Sequence, residues 1–282
     1  MKNILVHIHL FYPEFWKDIE QCVKTICAES KATVYISMIK DYPDIFEKLK
    51  QICPNSHKLI VENKGWDTAS FIEVINKVNL DEYDYVVKLH TKRDIAVFPW
   101  YINGYDVSGD KWRKYGINFC YTKENWKSCL NTLQKQNVGM VADYHVIAKN
   151  DLIEEKSLEK LCHKLDITAK NKLFCNVSMF AVKPEILKKI QNKIKFDDFE
   201  PTVRSDKDCD LAHLMEVMFG YILEDKKIAD FKSRKSSSLR FALLKIKKFI
   251  YYKKVTKEKI SIKVCGIPIY KRKKINVSDI KE

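Results

Sequence analysis

Strand-like and helix-like segments alternate in short units through the first ninety residues, and this alternation restricts the possible folds more than any other feature. Residues 3–11 (NILVHIHLF), 32–39 (ATVYISMI), 58–62 (KLIVE) and 84–90 (DYVVKLH) are short and rich in β-branched and aromatic residues, as buried strands are. Helices are expected between them. Pro13 and Glu14 suit a first turn, and Phe15, Ile19, Val23 and Ile26 recur at helical spacing over 14–29. A short helix over 43–52 ends before Cys53-Pro54. A third follows the turn Asn63-Lys64-Gly65, with Asp67 or Thr68 as its cap, and runs through Phe71, Ile75 and Val78. Such β–α–β units predict an α/β, Rossmann-type fold: a mostly parallel sheet with helices on both faces. Ligands of these sheets bind beyond the carboxyl ends of the strands, so the loops after the first, third and fourth strands carry the functional signal.

The second half is less regular. Residues 94–116, with Pro99, Trp100, Gly104, Gly109 and Trp112, read as a long irregular loop. A helix over 123–136, a strand over 138–143, a charged helical region over 151–171 and a strand over 177–182 follow. Pro184 opens a further helix, 196–210 is an acidic loop, and 211–223 is a helix. With 46% hydrophobic and 31% charged residues the chain is globular rather than disordered. No run of 18 apolar residues predicts a spanning helix, and His7 and His9 interrupt the apolar start, so no signal segment is expected there. Nine scattered cysteines without a CxxC read as reduced thiols of a cytosolic protein.

The charge is unevenly placed. Residues 231–282 hold 17 Lys/Arg against 3 Asp/Glu, an excess equal to the +14 of the whole chain, while residues 1–230 are balanced at 34 against 34. Two units are therefore expected, a neutral domain over 1–230 and a basic tail over 231–282. In the tail, 238–254 (SLRFALLKIKKFIYYKK) has the pattern of a basic amphipathic helix and 260–273 that of a hairpin around Gly266. This combination suits attachment to an anionic membrane surface, each basic residue adding about 1 kcal/mol near anionic lipid. A helix docked on the body with solvated lysines is the plainer alternative, and a basic, aromatic tail also keeps nucleic-acid binding open, although the body has no nucleic-acid module.

Two segments lie where the sheet presents its ligand. Asn63-Lys64-Gly65-Trp66-Asp67 follows the third strand, and Leu89-His90-Thr91-Lys92-Arg93-Asp94 ends the fourth. The second joins an imidazole to two cations that could neutralise a diphosphate. A capped turn and a solvated basic strand end are the alternatives. His7 and His9 share one strand face, suited to hydrogen bonding near a nucleotide or to core packing. Tyr12, Trp66 and Trp100 are aromatic residues able to stack on a base or sugar, and Trp112-Arg113 could close over a bound donor. Among the acids, Asp208 and Asp210 fit either a base or a solvated loop. Glu216, three residues after His213 and flanked by Leu214, Met215, Val217, Met218 and Phe219, reads as a buried carboxylate suited to proton transfer.

In this order, NKGWD, YDYVVKLHTK, Trp112-Arg113, SMFAVKPEIL and DLAHLMEVMFGYIL make the chain resemble the rhamnan synthesis protein F family of polysaccharide glycosyltransferases, over about residues 3–225. The resemblance implies a GT-A-like fold and an inverting, rhamnosyltransferase-like transfer from a nucleotide sugar, dTDP-L-rhamnose being one such donor, to a polysaccharide; the tail, similar to those of bacterial capsule and lipopolysaccharide glycosyltransferases, adds the expectation of a lipid-linked acceptor on the inner face of the cytoplasmic membrane. It assigns donor binding to Asn63, Gly65, Asp67, His90, Lys92, Trp112 and Arg113. It places Met179, Phe180 and His213 in the acceptor or supporting shell. Trp66, Val177 and Val217 depart from the family's arginine, glycine and arginine, which keeps a non-catalytic scaffold open. GT-A enzymes usually place Asp-x-Asp at the end of this strand to hold a dication. His90-x-Lys92 stands there instead, and donor binding without a required metal is expected.

Overall fold

The structure is a computed structural model that describes residues 1–94, 101–102, 105–150, 153, 155–170, 172–201, 210–232, 251–255, 259–265 and 267–273. The first half follows the alternation read from the sequence. Strands β1 (Asn3–Leu10), β2 (Lys31–Met38), β3 (Ser56–Ile60) and β4 (Tyr85–His90) are joined by helices α1 (Trp16–Glu29), α2 (Pro43–Ile52) and α3 (Trp66–Lys77). Beyond them come the two-residue strands β5 (Tyr101–Ile102) and β6 (Tyr105–Asp106), helices α4 (Lys111–Tyr121) and α5 (Lys123–Leu133), strands β7 (Val138–Ala142) and β8 (Ile147–Lys149), and helix α6 (Glu155–Leu165). Strands β9 (Leu173–Cys175) and β10 (Phe180–Val182), helices α7 (Pro184–Leu187) and α8 (Leu211–Tyr221), and strand β11 (Lys227–Asp230) complete the body.

Seven strands form one sheet in the order β11-β7-β10-β4-β1-β2-β3. β4, β1, β2 and β3 are parallel, β10 runs against both β4 and β7, and β11 is parallel to β7, so the sheet is mixed but mostly parallel. The chain steps outward from β1 to β2 to β3 and then returns to place β4 on the other side of β1. Because such crossovers are right-handed, the return moves α3 to the face opposite α1 and α2. α8 packs with α3, and α4 and α5 pack with α1. β1 shows the result: Ile4 to Leu10 are all buried, as a strand covered on both faces must be.

Three readings of the sequence are corrected. Residues 111–116 belong to α4 rather than to a loop, so Trp112 and Arg113 lie in a helix's first turn. Strand β10 begins at Phe180 and not at 177, because Ser178 takes a left-handed backbone (φ 56°) that breaks an extended strand. Asp67 does not cap α3; Gly65 does, at φ 53° and without a side-chain bond.

The chain divides into compact units over Met1–Arg234 and Lys235–Glu282. The second contains an antiparallel three-stranded sheet of β12 (Tyr251–Val255), β13 (Lys259–Val264) and β14 (Ile267–Lys273), which realises the hairpin read at 260–273. Residues 251–254, read as the end of an amphipathic helix, are strand; the rest of that segment, 238–250, lies outside the described residues. Among the described residues no helix is long and apolar enough to cross a membrane.

Candidate active site

Strand order reverses between β1 and β4, and a crevice opens beyond the carboxyl ends of two strands whose connections leave in opposite directions. Thr91, the first residue past β4, ties these ends together. Its N–H donates to the His9 carbonyl (3.0 Å), and its hydroxyl accepts from the N–H groups of Phe11 (3.0 Å) and Tyr12 (2.8 Å). Lys92 follows. Its ammonium lies 4.8 Å from the ring centroid of Trp112, an attraction that steadies the charge without neutralising it. Arg93 covers the Tyr12 ring at 4.6 Å.

Below the crevice the sheet carries a buried polar stripe on its α3 face. The register sets Ser37 beside His9 and His9 beside His90, and sets His7 beside Lys88. All five side chains belong to residues no more than 5% exposed. Ser37 Oγ is 2.9 Å from His7 Nε2 and 3.0 Å from His9 Nδ1, and His9 Nδ1 is 3.1 Å from Ser70 Oγ on α3. His90 Nε2 is 2.8 Å from the Val177 carbonyl, so this nitrogen carries the proton and donates it. Burial pushes His9 and His90 down to about 4 and His7 well below its ordinary value, which leaves all three neutral at pH 7.

Lys88, the cation of this stripe, was missed by the sequence reading. It is fully buried in β4, yet its three donors are all engaged, by the Asp67 carboxylate, the Ser178 carbonyl (3.0 Å) and the Ser178 hydroxyl (2.9 Å). Phe71 and Phe219 lie 5.7 and 5.9 Å from its ammonium. The left-handed turn at Ser178 is what brings that residue's two oxygens to the ammonium. Burial would push Asp67 up, but the Lys88 and Lys92 charges and the Lys88 hydrogen bond, beside the His90 ring, hold it well below the usual carboxylate range. One signal was available: a lysine inside the run Tyr85–His90 cannot be buried without a counter-charge.

The fourth component comes from α8. Asp210 is its N-cap, accepting from the His213 N–H (2.9 Å) and lying 2.8 Å from His213 Nδ1. The His213 ring meets Trp66 edge to face at 6.3 Å, which joins the start of α8 to the start of α3. Glu216, one turn further, is half-buried. Burial pushes its carboxyl up to about 7; the Asp67 charge adds to this, and Lys92, Lys88 and His213 oppose it. Those couplings place Glu216 in the same electrostatic neighbourhood as the cations of β4 and its exit.

The structure therefore brings together Asp67, His90, Lys92, Trp112, His213 and Glu216, and adds Lys88, Thr91 and Ser178. Gly65 lies beneath them, its N–H donating to the Glu200 carbonyl at 3.1 Å, while Asn63 is exposed in the preceding turn. Other candidates fall elsewhere. His7, Met179 and Phe180 are fully buried in the core, where no ligand reaches them. Arg113 is committed to Asp18 and Asp94 and packs on Phe15 at 4.5 Å, so its guanidinium serves the protein's own carboxylates. Asp208 and Trp100 lie outside the described residues.

The GT-A resemblance implies a divalent ion at the end of β4, and the residues described there do not fit one. Asp67, the carboxylate 3.9 Å from His90 Nε2, is already bound by Lys88. Among the described residues no group of three or more His, Cys, Asp or Glu is placed to hold a metal. What the arrangement offers is a cation at the crevice mouth, neutral imidazoles behind it, and a carboxyl that exchanges its proton near neutral pH.

The family model of rhamnan synthesis protein F matches residues 1–228. No curated protein matches the sequence. Solved structures of similar shape include residues 1–349 of TarS from S. aureus, with a TM-score of 0.42 and 9% identity over 83% of this chain and 59% of that one. Mannosyltransferase PcManGT from Pyrobaculum calidifontis, in complex with GDP-Man and Mn²⁺, gives 0.39 and 11% over 87% and 62%. Glucosyl-3-phosphoglycerate synthase from Mycobacterium tuberculosis, in complex with Mn²⁺, UDP-Glc and phosphoglyceric acid, gives 0.36 and 8% over 96% and 89%. The chain thus spans less than two thirds of the length of the first and second of these.

Proposed function

We propose that this chain, which belongs to the rhamnan synthesis protein F family, transfers a sugar from a nucleotide-sugar donor to a growing lipid-linked cell-surface polysaccharide, with inversion at the anomeric carbon. The single observation that carries the reading is the electrostatic coupling of Lys92 to Glu216 at the β1–β4 crevice: a cation for a leaving diphosphate, held over Trp112, within the field of a carboxyl that burial pushes up to about 7. The acceptor hydroxyl attacks the anomeric carbon, Glu216 takes its proton, and the nucleoside diphosphate leaves toward Lys92. Of the three acids considered as base, Asp210 is occupied as a cap and as the partner of His213, which favours Glu216.

The donor diphosphate is read as bound without a metal. The support is Lys88, an internal ammonium that occupies the carboxylate a dication would need. No step of this mechanism runs through a metal. dTDP-L-rhamnose is the donor that the family suggests, and the basic tail is read as contact with the anionic inner face of the cytoplasmic membrane, where a lipid-linked acceptor resides.

The test is thermal stability and sugar release with a panel of UDP-, GDP- and dTDP-sugars, with and without EDTA. One nucleoside diphosphate series is expected to raise the melting temperature, Lys92→Ala to abolish that shift, and EDTA to leave it unchanged. No stabilisation by any member ends the transferase reading; loss of the shift in EDTA with recovery in Mn²⁺ ends the metal-free part alone.

A further inference from the structure

The second unit carries an apolar end that the mechanism above does not use. β13 and β14 pair antiparallel to their adjoining ends, Val264 opposite Ile267, so the connection between them is short. Within it Cys265 takes a left-handed backbone (φ 49°) and is exposed. Ile267 and Ile269, the first and third residues of β14, are 65% and 60% exposed. The register passes from Ile262 opposite Tyr270 to Lys263 opposite Pro268, so Ile269 is the extra residue of a β-bulge. Among the described residues Met1 is the only large hydrophobic more exposed than these two. Neighbouring isoleucines left in water at the end of a hairpin mark a surface that meets an apolar partner.

Charge identifies that partner. From Lys259 to Lys273 the hairpin contains five Lys/Arg and no Asp or Glu. The register sets Lys259 opposite Lys273, and like charges directly opposite one another repel until an anion lies between them. Lys271, Arg272 and Lys273 follow Ile269 in β14, their positions about 7–14 Å further along the strand. The order away from the turn is therefore apolar first and cationic behind. A bilayer edge has the matching order, since interfacial segments bury their apolar part about 5–10 Å into the headgroup and acyl boundary. Long basic side chains reach back to the headgroups from such a depth. The two strands also enter with their ladder hydrogen bonds already made, which keeps the cost of leaving water low. A nucleic acid would use the cations but leave both isoleucines in water, because bases stack on aromatic faces.

We propose that the end of this hairpin bearing Cys265, Ile267 and Ile269 enters an anionic bilayer, with the two isoleucines at the acyl boundary and the cations behind them on lipid phosphates. This rests on the membrane reading of the tail and adds to it the element that inserts.

The test uses the full chain with vesicles of phosphatidylcholine, with and without phosphatidylglycerol. Ile267→Ser combined with Ile269→Ser is expected to lower the affinity for the anionic vesicles by roughly tenfold or more, to allow release at lower ionic strength, and to leave the melting temperature unchanged. Lys271→Gln and Lys273→Gln are each expected to weaken binding by about fivefold and to flatten its salt dependence. Ile269→Trp is expected to gain, over wild type, a blue-shifted emission that brominated lipid quenches. Equal vesicle affinity of the isoleucine variant and the wild type, or an Ile269→Trp emission indifferent to brominated lipid, overturns insertion and leaves the membrane contact of the tail standing. A wild-type chain that stays off anionic vesicles removes both, and binding of single-stranded RNA in their place, unaltered in the isoleucine variant, gives the cations to nucleic acid.

Discussion

Glu216 and Lys88 set the chemistry of the crevice, the first by a carboxyl that burial raises and the second by a buried ion pair with Asp67. The Glu216 carboxyl is raised from about 4.5 to about 7, so its protonated form is the one folding favours. The folded state therefore holds the extra proton, and its contribution to stability is present below about pH 4.5 and is lost as pH rises through about 7. Glu216→Gln removes that dependence: its melting temperature relative to wild type is expected to rise between pH 5 and pH 8, while sugar transfer falls by about a hundredfold or more. A flat difference in melting temperature across that range would show Glu216 to be solvated. Lys88 is buried and ionically paired. Lys88→Met alone leaves Asp67 uncompensated and is expected to cost about 3–5 kcal/mol in denaturant unfolding, and adding Asp67→Asn is expected to restore much of it. Equal losses in the single and double variants would mean that the pair is not coupled. Asp67, His90, Lys92 and Glu216 were legible as residue types at informative loops. Lys88 and Ser178 were not, because each depends on a partner far away in sequence; 90 positions separate Lys88 from Ser178.

At the scale of elements, the first four strands and three helices follow directly from hydrophobic spacing, since each is a local pattern closed by a Pro, Gly or cap. The long segment after β4 was not readable in the same way. α4 begins in a stretch whose proline, glycines and tryptophans signal a loop, and its helical state is settled by packing on α1. The contact of α8 with β9 likewise has no periodic signature. A Cβ at Gly220 would lie 2.0 Å from the Leu173 carbonyl oxygen, so helix and strand touch through bare backbone. Gly220→Ala is expected to separate them and cost about 1–3 kcal/mol, read as a lower denaturation midpoint, and to weaken nucleotide-sugar binding by displacing Glu216. Unchanged stability would show that this approach is looser than described. Gly65 is constrained twice over, by its φ of 53° and by Phe199, 2.5 Å from where a Cβ would stand.

The whole molecule separates a neutral body from a tail that holds the entire charge excess, a division legible from counting alone. The membrane contact proposed for the tail makes a prediction independent of catalysis. The full chain is expected to co-sediment with phosphatidylglycerol vesicles at low salt and to be released as ionic strength rises, while a chain ending at Arg234 stays in the supernatant. Equal sedimentation of both chains would move the contact to the body. The sheet of the body has a further consequence, for the time at which the protein can fold. β10 lies directly against β4 in the sheet although it is synthesised 90 residues later, and the turn before it supplies two of the three acceptors of Lys88. A nascent chain that has emerged only as far as β4 therefore carries a bare strand edge and an incompletely neutralised ammonium, and it must be kept from neighbouring chains until the ribosome has delivered the missing strand.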